Sequence, residues 1–186
     1  MGNREDLLEG AKRCLYERGY ARTTARDIVA ASGTNLASIG YHYGSKEALL
    51  DAALMAAIEE LSELLTKLGT DEKHLPEAWD RIMAEFDAQR PLLIAHAEAW
   101  SQIERSPELR EQFARLYANE RDKGVEHAQA AHPHLDAETA HAVAAVTGAL
   151  ADGLIVQWLI NPEQLPSGRQ IATGLRALAD EIDTAQ

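Results

Sequence analysis

The 186-residue sequence predicts an all-α protein of about nine helices, with a small N-terminal three-helix domain followed by a larger helical domain. Three observations support this prediction. The apolar residues of each segment recur at the helical period, and no segment alternates as a strand over a useful length. Leu and Ala dominate while aromatic residues make up only 5% of the chain, a composition that favours helices over sheets. Gly and Pro are scattered, so no linker-like or disordered class is indicated.

The N-terminal part reads as two short helices joined by a tight turn, preceded by one helix and followed by a longer one. The turn is Ser32-Gly33-Thr34, and Gly33 can adopt the left-handed conformation that ends a helix sharply. Asn35 and Ser45 are good N-caps for the two helices that follow. The four predicted helices run from about Arg4 to Arg18, from Thr24 to the turn, from Asn35 to Tyr41, and from Ser45 to Gly69.

The layout of the second and third helices is that of a helix-turn-helix, in which the second of the two helices enters the major groove of DNA. We therefore expect a helix-turn-helix DNA-binding domain over residues 1–45 and a larger helical domain over residues 46–186.

Five further helices are predicted in the second domain. Pro76 opens the first of them and Pro91 breaks it, and Ser167 caps the last one. Between these lie predicted helices at Leu92–Glu104, from Ser106-Pro107 to His132-Pro133, and from Asp136 to Ile160, the last closed by Asn161-Pro162.

The predicted helix from Asp136 to Ile160 is apolar on more than one side, and Gly148 and Gly153 let another helix approach closely. A helix that is apolar on two sides is buried on two sides, and we expect a second copy of the chain to cover one of them. The alternative is that this is the central helix of a monomer. The expected dimer interface comprises Val143, Thr147, Leu150, Leu154, Ile171, Leu175 and Leu178.

The net charge of −12 is unevenly distributed. Residues 1–50 carry seven Lys/Arg against six Asp/Glu, whereas the remaining 136 residues carry 11 against 24. Between Lys12 and Lys46 alone there are six basic residues and two acidic ones. The acidity therefore belongs to the larger domain, where it discourages non-specific binding to phosphates, and not to the predicted DNA-binding domain.

The sequence indicates a cytoplasmic protein. The first residues contain charges but no apolar core, so we expect no signal peptide. No apolar run approaches the roughly 18 residues of a membrane span, and no membrane partner is expected. The single cysteine, Cys14, cannot form an internal disulfide and falls on the apolar face of the first helix, where we expect a buried thiol.

The stretch from Leu7 to Leu50 resembles the DNA-binding domain of the TetR family of bacterial transcriptional repressors. A second stretch, Ala151 to Pro162, is similar to one found in the ligand-binding body of many members. The chain departs from the family pattern at Gly40, where the family often has an aromatic residue. The matching residues are Leu8-x-x-Ala11, Glu17-Arg18-Gly19-Tyr20, Thr24-x-x-Asp27-Ile28, Ala31-x-Gly33 and Tyr41-His42-Tyr43-x-Ser45-Lys46-Glu47-x-Leu49.

The resemblance implies a repressor that binds a palindromic double-stranded operator as a homodimer and is released by a small-molecule effector. Residues near the start of the third helix would meet base edges, and residues at the helix ends would contact phosphates. Lys46 is notable because a cation in the first turn of a helix opposes the helix dipole, which helix capping does not explain. The expected DNA-binding residues are Thr24, Arg26, Thr34, Asn35, Ser38, Tyr41, His42 and Lys46.

The resemblance also implies an effector site in the larger domain, and large side chains are concentrated there. For any single one of them an ordinary core position is the better interpretation, whereas the group as a whole favours a pocket. The expected effector-binding residues are Trp79, Met83, Phe86, His96, Trp100, Phe113, Tyr117 and Trp158.

No metal site or cofactor is expected. The histidines from His127 to His141 span a helix end and a proline break, so their geometry is not preset for a metal. Two alternatives to a DNA-binding regulator stay open: a helical dimerising scaffold without DNA binding, and an all-helical enzyme. No P-loop, zinc-ligand helix or nucleophile elbow is present, so an enzyme is the weaker alternative.

Overall fold

The computed structural model describes residues 2–70, 74–101, 103–104 and 106–184. These residues form nine α-helices and one short 3-10 turn, Pro162–Gln164, and contain no β-strand. The prediction of an all-α fold is confirmed. The helices are α1 (Gly2–Arg18), α2 (Ala25–Ser32), α3 (Leu36–Tyr43), α4 (Lys46–Thr70), α5 (Leu75–Ala84), α6 (Arg90–Trp100), α7 (Pro107–Ala131), α8 (Ala137–Ile160) and α9 (Gly168–Thr184).

The helix after Pro76 ends earlier than predicted. α5 stops at Ala84, residues 85–89 form turns, and α6 begins at Arg90. Pro91 therefore does not break a helix. It lies in the first turn of α6, where the missing N–H leaves no intrahelical hydrogen bond unmade. Phe86 consequently lies in the turn between two helices, where it is almost fully buried.

The chain forms two compact units. The first unit comprises the residues up to Leu61 together with Gln89–Lys123. Its core takes buried apolar residues from α1, α2, α3, α4, α6 and α7. They include Leu7, Cys14, Leu15, Ile28, Ile39, Leu49, Leu54, Leu93 and Phe113. Cys14 is 1% exposed, as expected, and burial raises the pKa of its thiol.

Side-chain hydrogen bonds tie α1 and the loop after it to α4 within the first unit. The Tyr20 hydroxyl donates to the Asp51 carboxylate at 2.5 Å. The Lys12 ammonium is buried and donates to Glu60 at 2.5 Å and to Glu9 at 3.2 Å. The first bond holds the second turn of α4 to the loop after α1, and the bond to Glu60 holds the middle of α4 to α1.

The second unit comprises Ser62–Ala88 and Gly124–Gln186. In it, α9 packs against α5, and Gly168 lies against Pro76. A Cβ at Gly168 would lie 1.8 Å from the Pro76 carbonyl oxygen, so no larger residue fits there without movement. The Gly168 N–H also donates to the Asp80 carboxylate at 2.7 Å. Each unit is made of two separate stretches of the chain. The predicted domain boundary at residue 45 stays a prediction.

Candidate nucleic-acid interface

α2 begins at a complete capping box. The Thr24 hydroxyl accepts the Asp27 N–H at 3.3 Å, and the Asp27 carboxylate accepts from the Thr24 N–H at 2.9 Å and from its hydroxyl at 2.7 Å. These bonds lower the pKa of Asp27, and the Arg18 guanidinium at 3.3 Å lowers it further. The hydroxyl that we expected to meet a phosphate is therefore already occupied within the helix cap.

The turn between α2 and α3 has the predicted geometry. Gly33 adopts the left-handed conformation, with φ at 69°, and ends α2. The hydroxyls of Ser32 and Thr34 lie 2.7 Å apart and hydrogen-bond across the turn. The Asn35 amide oxygen then accepts the Ser38 N–H at 3.1 Å and caps α3, as predicted.

α3 separates sharply into a buried and an exposed face. Ile39 and Ser38 are buried, so the Ser38 side chain lies inside the unit and not on the surface expected to meet base edges. The reason is the position of Ser38 around the helix axis, which places it beside Ile39 on the side that faces the core. Tyr41 is 85% exposed, and His42 is half-buried beside it, with ring centroids 4.8 Å apart.

Lys46 lies in the first turn of α4, directly after Ser45. The Ser45 hydroxyl accepts the Ala48 N–H at 3.0 Å. The Lys46 ammonium lies 3.5 Å from the Thr23 carbonyl oxygen and 3.2 Å from the Glu47 carboxylate. The first contact holds the lysine beside Thr23, two residues before the start of α2. Lys46 therefore brings a half-exposed cation to the same part of the surface as the N-terminus of α2.

Several of the basic residues counted in the sequence are engaged within the first unit. Lys12 is buried with two carboxylates, Arg13 donates to the Ala31 carbonyl oxygen, and Arg18 pairs with Asp27. Of these three, only Lys12 is buried, and Arg13 and Arg18 stay exposed to solvent. Arg26 is exposed as well and has no hydrogen bond or ion pair to any described residue.

Sequence reasoning missed Arg4 as part of this surface. Its guanidinium lies over the Tyr43 ring, 5.2 Å from the centroid, and the Tyr43 hydroxyl donates to its carbonyl oxygen at 2.9 Å. Such a cation–π contact is favourable and positions the guanidinium. These contacts fix an exposed cation at the C-terminal end of α3. The only signal in the sequence was a basic residue in the first turn of α1, a position that carries no information about its partner.

Two sequence profiles cover most of the chain. One, for bacterial regulatory proteins of the tetR family, matches residues 7–53, and the other, for the C-terminal part of BetI-type transcriptional repressors, matches residues 72–183. The second alone spans more than half of the chain. The chain belongs to the TetR family.

Individual relatives agree with this assignment. The transcriptional regulator TtgR of Pseudomonas putida is 28% identical over 178 residues, covering 87% of this chain and 82% of TtgR. The transcriptional repressor AcnR of Corynebacterium efficiens is 29% identical over 97 residues, which are 50% of this chain. The chain spans about half the length of AcnR, 52% of it. The relatives are regulators, which confirms the prediction that this TetR-family chain is not an enzyme.

Solved structures share the fold. A TetR transcription regulator from Haloarcula marismortui has a TM-score of 0.64 at 20% identity and covers 98% of this chain and 97% of its own. The multidrug binding protein EbrR, complexed with imidazole, has a TM-score of 0.66 at 23% identity, covering 92% of this chain and 93% of its own.

Four of the expected effector-binding residues of this TetR-family chain come together in the first unit. His96 is 6% exposed, its ring stacks on Phe113 with centroids 5.5 Å apart, and it lies 4.7 Å from the Trp100 ring. Tyr117 continues the cluster 6.4 Å beyond Phe113. Burial lowers the pKa of His96 to about 4, so the imidazole is neutral at pH 7. Its Nε2 is buried and has no hydrogen-bond partner among the described residues.

The other four lie in the second unit. Phe86 and Trp158 make an edge contact with ring centroids 5.6 Å apart, and both are almost fully buried. Trp79 is also buried, with an indole N–H that has no partner among the described residues, and Met83 is half-buried.

The expected dimer-interface residues divide into two groups. Leu154 and Ile171 are buried within the chain, so they belong to its own core, because α8 and α9 each turn one apolar stripe inward. The other five lie wholly or partly on the surface, and sequence reasoning missed further exposed apolar residues beside them. Those are Val146, Val156 and Ile160 on α8 and Ile182 on α9.

α8 is also long and apolar enough to cross a membrane, by length and composition alone. The expectation from the sequence did not identify this helix as a candidate. That expectation considered only unbroken apolar runs. In α8, small residues lie between the large apolar ones and the mean hydropathy stays high, with Asp152 as the only charged residue from Val143 to Ile160. Only 17% of this stretch is buried within the chain. Length and composition are weak grounds for a span, and the family match assigns α8 to the repressor C-terminal region.

Proposed function

We propose that the chain is a DNA-binding transcriptional repressor that binds a palindromic operator as a homodimer and is released by a small-molecule effector. The observation that carries the proposal is the helix-turn-helix itself. Two capped helices meet at a left-handed glycine, and one face of the second helix is exposed in the part of the chain that the structure describes. In a helix-turn-helix that free face lies in the major groove.

Cations and helix termini around α3 suit the phosphates on either side of a groove. Lys46 at the start of α4 and exposed Arg26 on α2 lie near N-terminal helix amides, which attract anions. Arg4 lies at the other end of α3, held by Tyr43. Contacts of this kind set position and salt dependence, whereas base contacts set sequence preference.

The dimer rests on the exposed apolar surface of α8 and α9. Val143, Val146 and Ile160 are 40%, 58% and 79% exposed, and Leu178 is 58% exposed. An exposed apolar row along a whole helix is uncommon in a monomer and typical of an interface. A twofold dimer places two copies of α3 on half-sites about 34–36 Å apart, one turn of the duplex.

Of the two groups of expected effector-binding residues, the cluster around His96 in the first unit is the better-supported site. A neutral imidazole with an unpaired Nε2, enclosed by aromatic rings, suits a largely apolar molecule that offers one hydrogen-bonding group. The effector would favour a form in which α4 has shifted and changed the spacing of the two α3 helices. Its influence is limited by its difference in affinity for the two forms.

The test is selection of bound duplexes from a random-sequence library, followed by titration of the winning duplex at several salt concentrations. Lys46→Ala should weaken binding to every duplex, and the salt slope should fall by about 0.9 for each phosphate that the lysine neutralises in the parent. Lys67→Ala, which makes the same change near the other end of α4, is the matched control and should bind like the parent.

Three outcomes would contradict parts of the proposal. Failure to enrich any duplex would leave the helical scaffold as the better account. A chain that stays monomeric at the concentrations used would exclude the twofold operator. Equal salt slopes for the parent and Lys46→Ala would remove Lys46 from the phosphate contacts.

A further inference from the structure

The exposed face of α3 is almost wholly apolar. Leu36 is 53% exposed, and Ala37, one residue further on, is exposed as well. Gly40 is exposed with no side chain, and a Cβ placed there would meet nothing within 4 Å. Tyr41 completes the face with a ring that is 85% exposed. The surface that would enter the groove therefore consists of methyl groups, a bare stretch of backbone and one aromatic ring that carries the Tyr41 hydroxyl.

The polar groups of the same segment are mostly engaged elsewhere. The Thr34 hydroxyl bonds to that of Ser32 at 2.7 Å, and Ser38 is 8% exposed. The Asn35 amide oxygen accepts the Ser38 N–H, which leaves the amide NH₂ of this exposed residue as a side-chain donor near the start of α3. The bidentate pairing of Asn with adenine requires both amide groups, and the bidentate pairing with guanine requires Arg or Lys, which α3 lacks.

Among the features that base pairs present in the major groove, one is apolar, the C5-methyl group of thymine. Ala and other small apolar side chains contact it, and the first turn of α3 is the part of a recognition helix nearest the base edges. We propose that α3 selects its operator chiefly through thymine methyl groups contacted by Leu36 and Ala37. This inference rests on the proposed function, because it names the base chemistry that the same interface reads.

The test removes the methyl groups and nothing else. Uracil pairs like thymine and keeps its O4 acceptor but lacks the C5-methyl. Each thymine in a half-site of the selected duplex is replaced by uracil in turn, and affinity is measured by fluorescence anisotropy at fixed salt. Burying one such carbon contributes about 0.8 kcal/mol, so one substitution should weaken binding about fourfold, and the symmetric pair roughly 15-fold. Uracil in the flanking sequence is the control and should leave affinity unchanged.

Protein variants assign the contact. Leu36→Ala should shrink the uracil penalty at one position of each half-site, because the side chain that senses the methyl is shortened. Leu75→Ala is the matched control, since Leu75 is also 53% exposed and also lies in the first turn of its helix. In that variant the uracil penalty should stay at its full value.

The outcomes separate this inference from the proposed function. If no duplex binds, the proposed function itself fails. If a duplex binds with equal affinity in its thymine and uracil forms, or if the selected half-sites hold no preferred thymine, the repressor proposal stands and the methyl inference is overturned. A uracil penalty that is unchanged in Leu36→Ala and in Ala37→Gly would remove these two residues as its source.

Discussion

Replacing Gly168 by alanine should destabilise the second unit. The new Cβ would lie 1.8 Å from the Pro76 carbonyl oxygen and 2.6 Å from its carbonyl carbon. Ordinary C···O contacts lie at about 3.3 Å or more, so α9 has to move from α5 by roughly 1.5 Å. That movement lengthens the hydrogen bond from the Gly168 N–H to Asp80, now 2.7 Å.

The magnitude follows from these two effects. Overpacking costs about 1–3 kcal/mol, and loss of a hydrogen bond to an exposed carboxylate costs about 1 kcal/mol. The expected loss is about 2–4 kcal/mol, which for a chain of this size lowers Tm by roughly 5–15 °C. Circular dichroism melts at a fixed chain concentration measure it, because a dimer's Tm depends on concentration.

Gly174→Ala provides the matched control in the same helix. Its Cβ would meet nothing within 4 Å, so only the helix propensity of alanine remains, worth about 1 kcal/mol in favour of the folded chain. Tm should rise by about 2–4 °C. A Gly168→Ala protein that melts at or above the parent temperature would refute the packing argument.

Three further predictions concern the first unit. Because the folded-state pKa of His96 is lowered to about 4 while the unfolded chain binds a proton near pH 6.5, stability should fall by roughly 3 kcal/mol as the pH drops through that window. His96→Gln should flatten this dependence in urea titrations at a series of pH values, and an unchanged slope would contradict the assignment. Tyr20→Phe removes the hydrogen bond to the half-buried Asp51 carboxylate and should cost about 1–3 kcal/mol by urea unfolding, whereas Tyr41→Phe, at an exposed ring, should cost almost nothing. Arg4→Ala should lower DNA affinity and the salt slope at every sequence, and Arg169→Ala, on α9, should not, so equal affinities for the two variants would exclude Arg4 from the interface.

Local features of the fold were predictable because they depend on neighbouring residues. Asn35 and Ser45 cap the helices that follow them, and Gly33 ends α2, since each needs only residues within one turn. The position of Pro91 was predicted wrongly because proline is common both in the first turn of a helix and just after the end of one. The sequence pattern does not distinguish these two positions.

The surface chemistry was less predictable, because it depends on contacts between distant parts of the chain. Ser38 was expected to contact DNA, but the orientation of α3 against the core buries its side chain. Lys12 and Arg13 were counted in the positive charge of the predicted DNA-binding domain, and in the structure Glu60 and the Ala31 carbonyl oxygen accept hydrogen bonds from them. Arg4 gains its position from Tyr43, 39 residues away in sequence. Charge counted along a sequence includes all of these residues without showing which ones solvent reaches.

The buried Cys14 gives the molecule an internal reporter of its own breathing motions. A thiol that is 1% exposed, with its pKa raised by burial, is inert toward alkylating or disulfide reagents until α1 separates from its neighbours. No other cysteine in the sequence competes for the reagent. The rate of modification therefore measures how often the part of the chain that carries the helix-turn-helix opens. Protection that increases when a duplex is added would report the coupling between DNA occupancy and local unfolding directly.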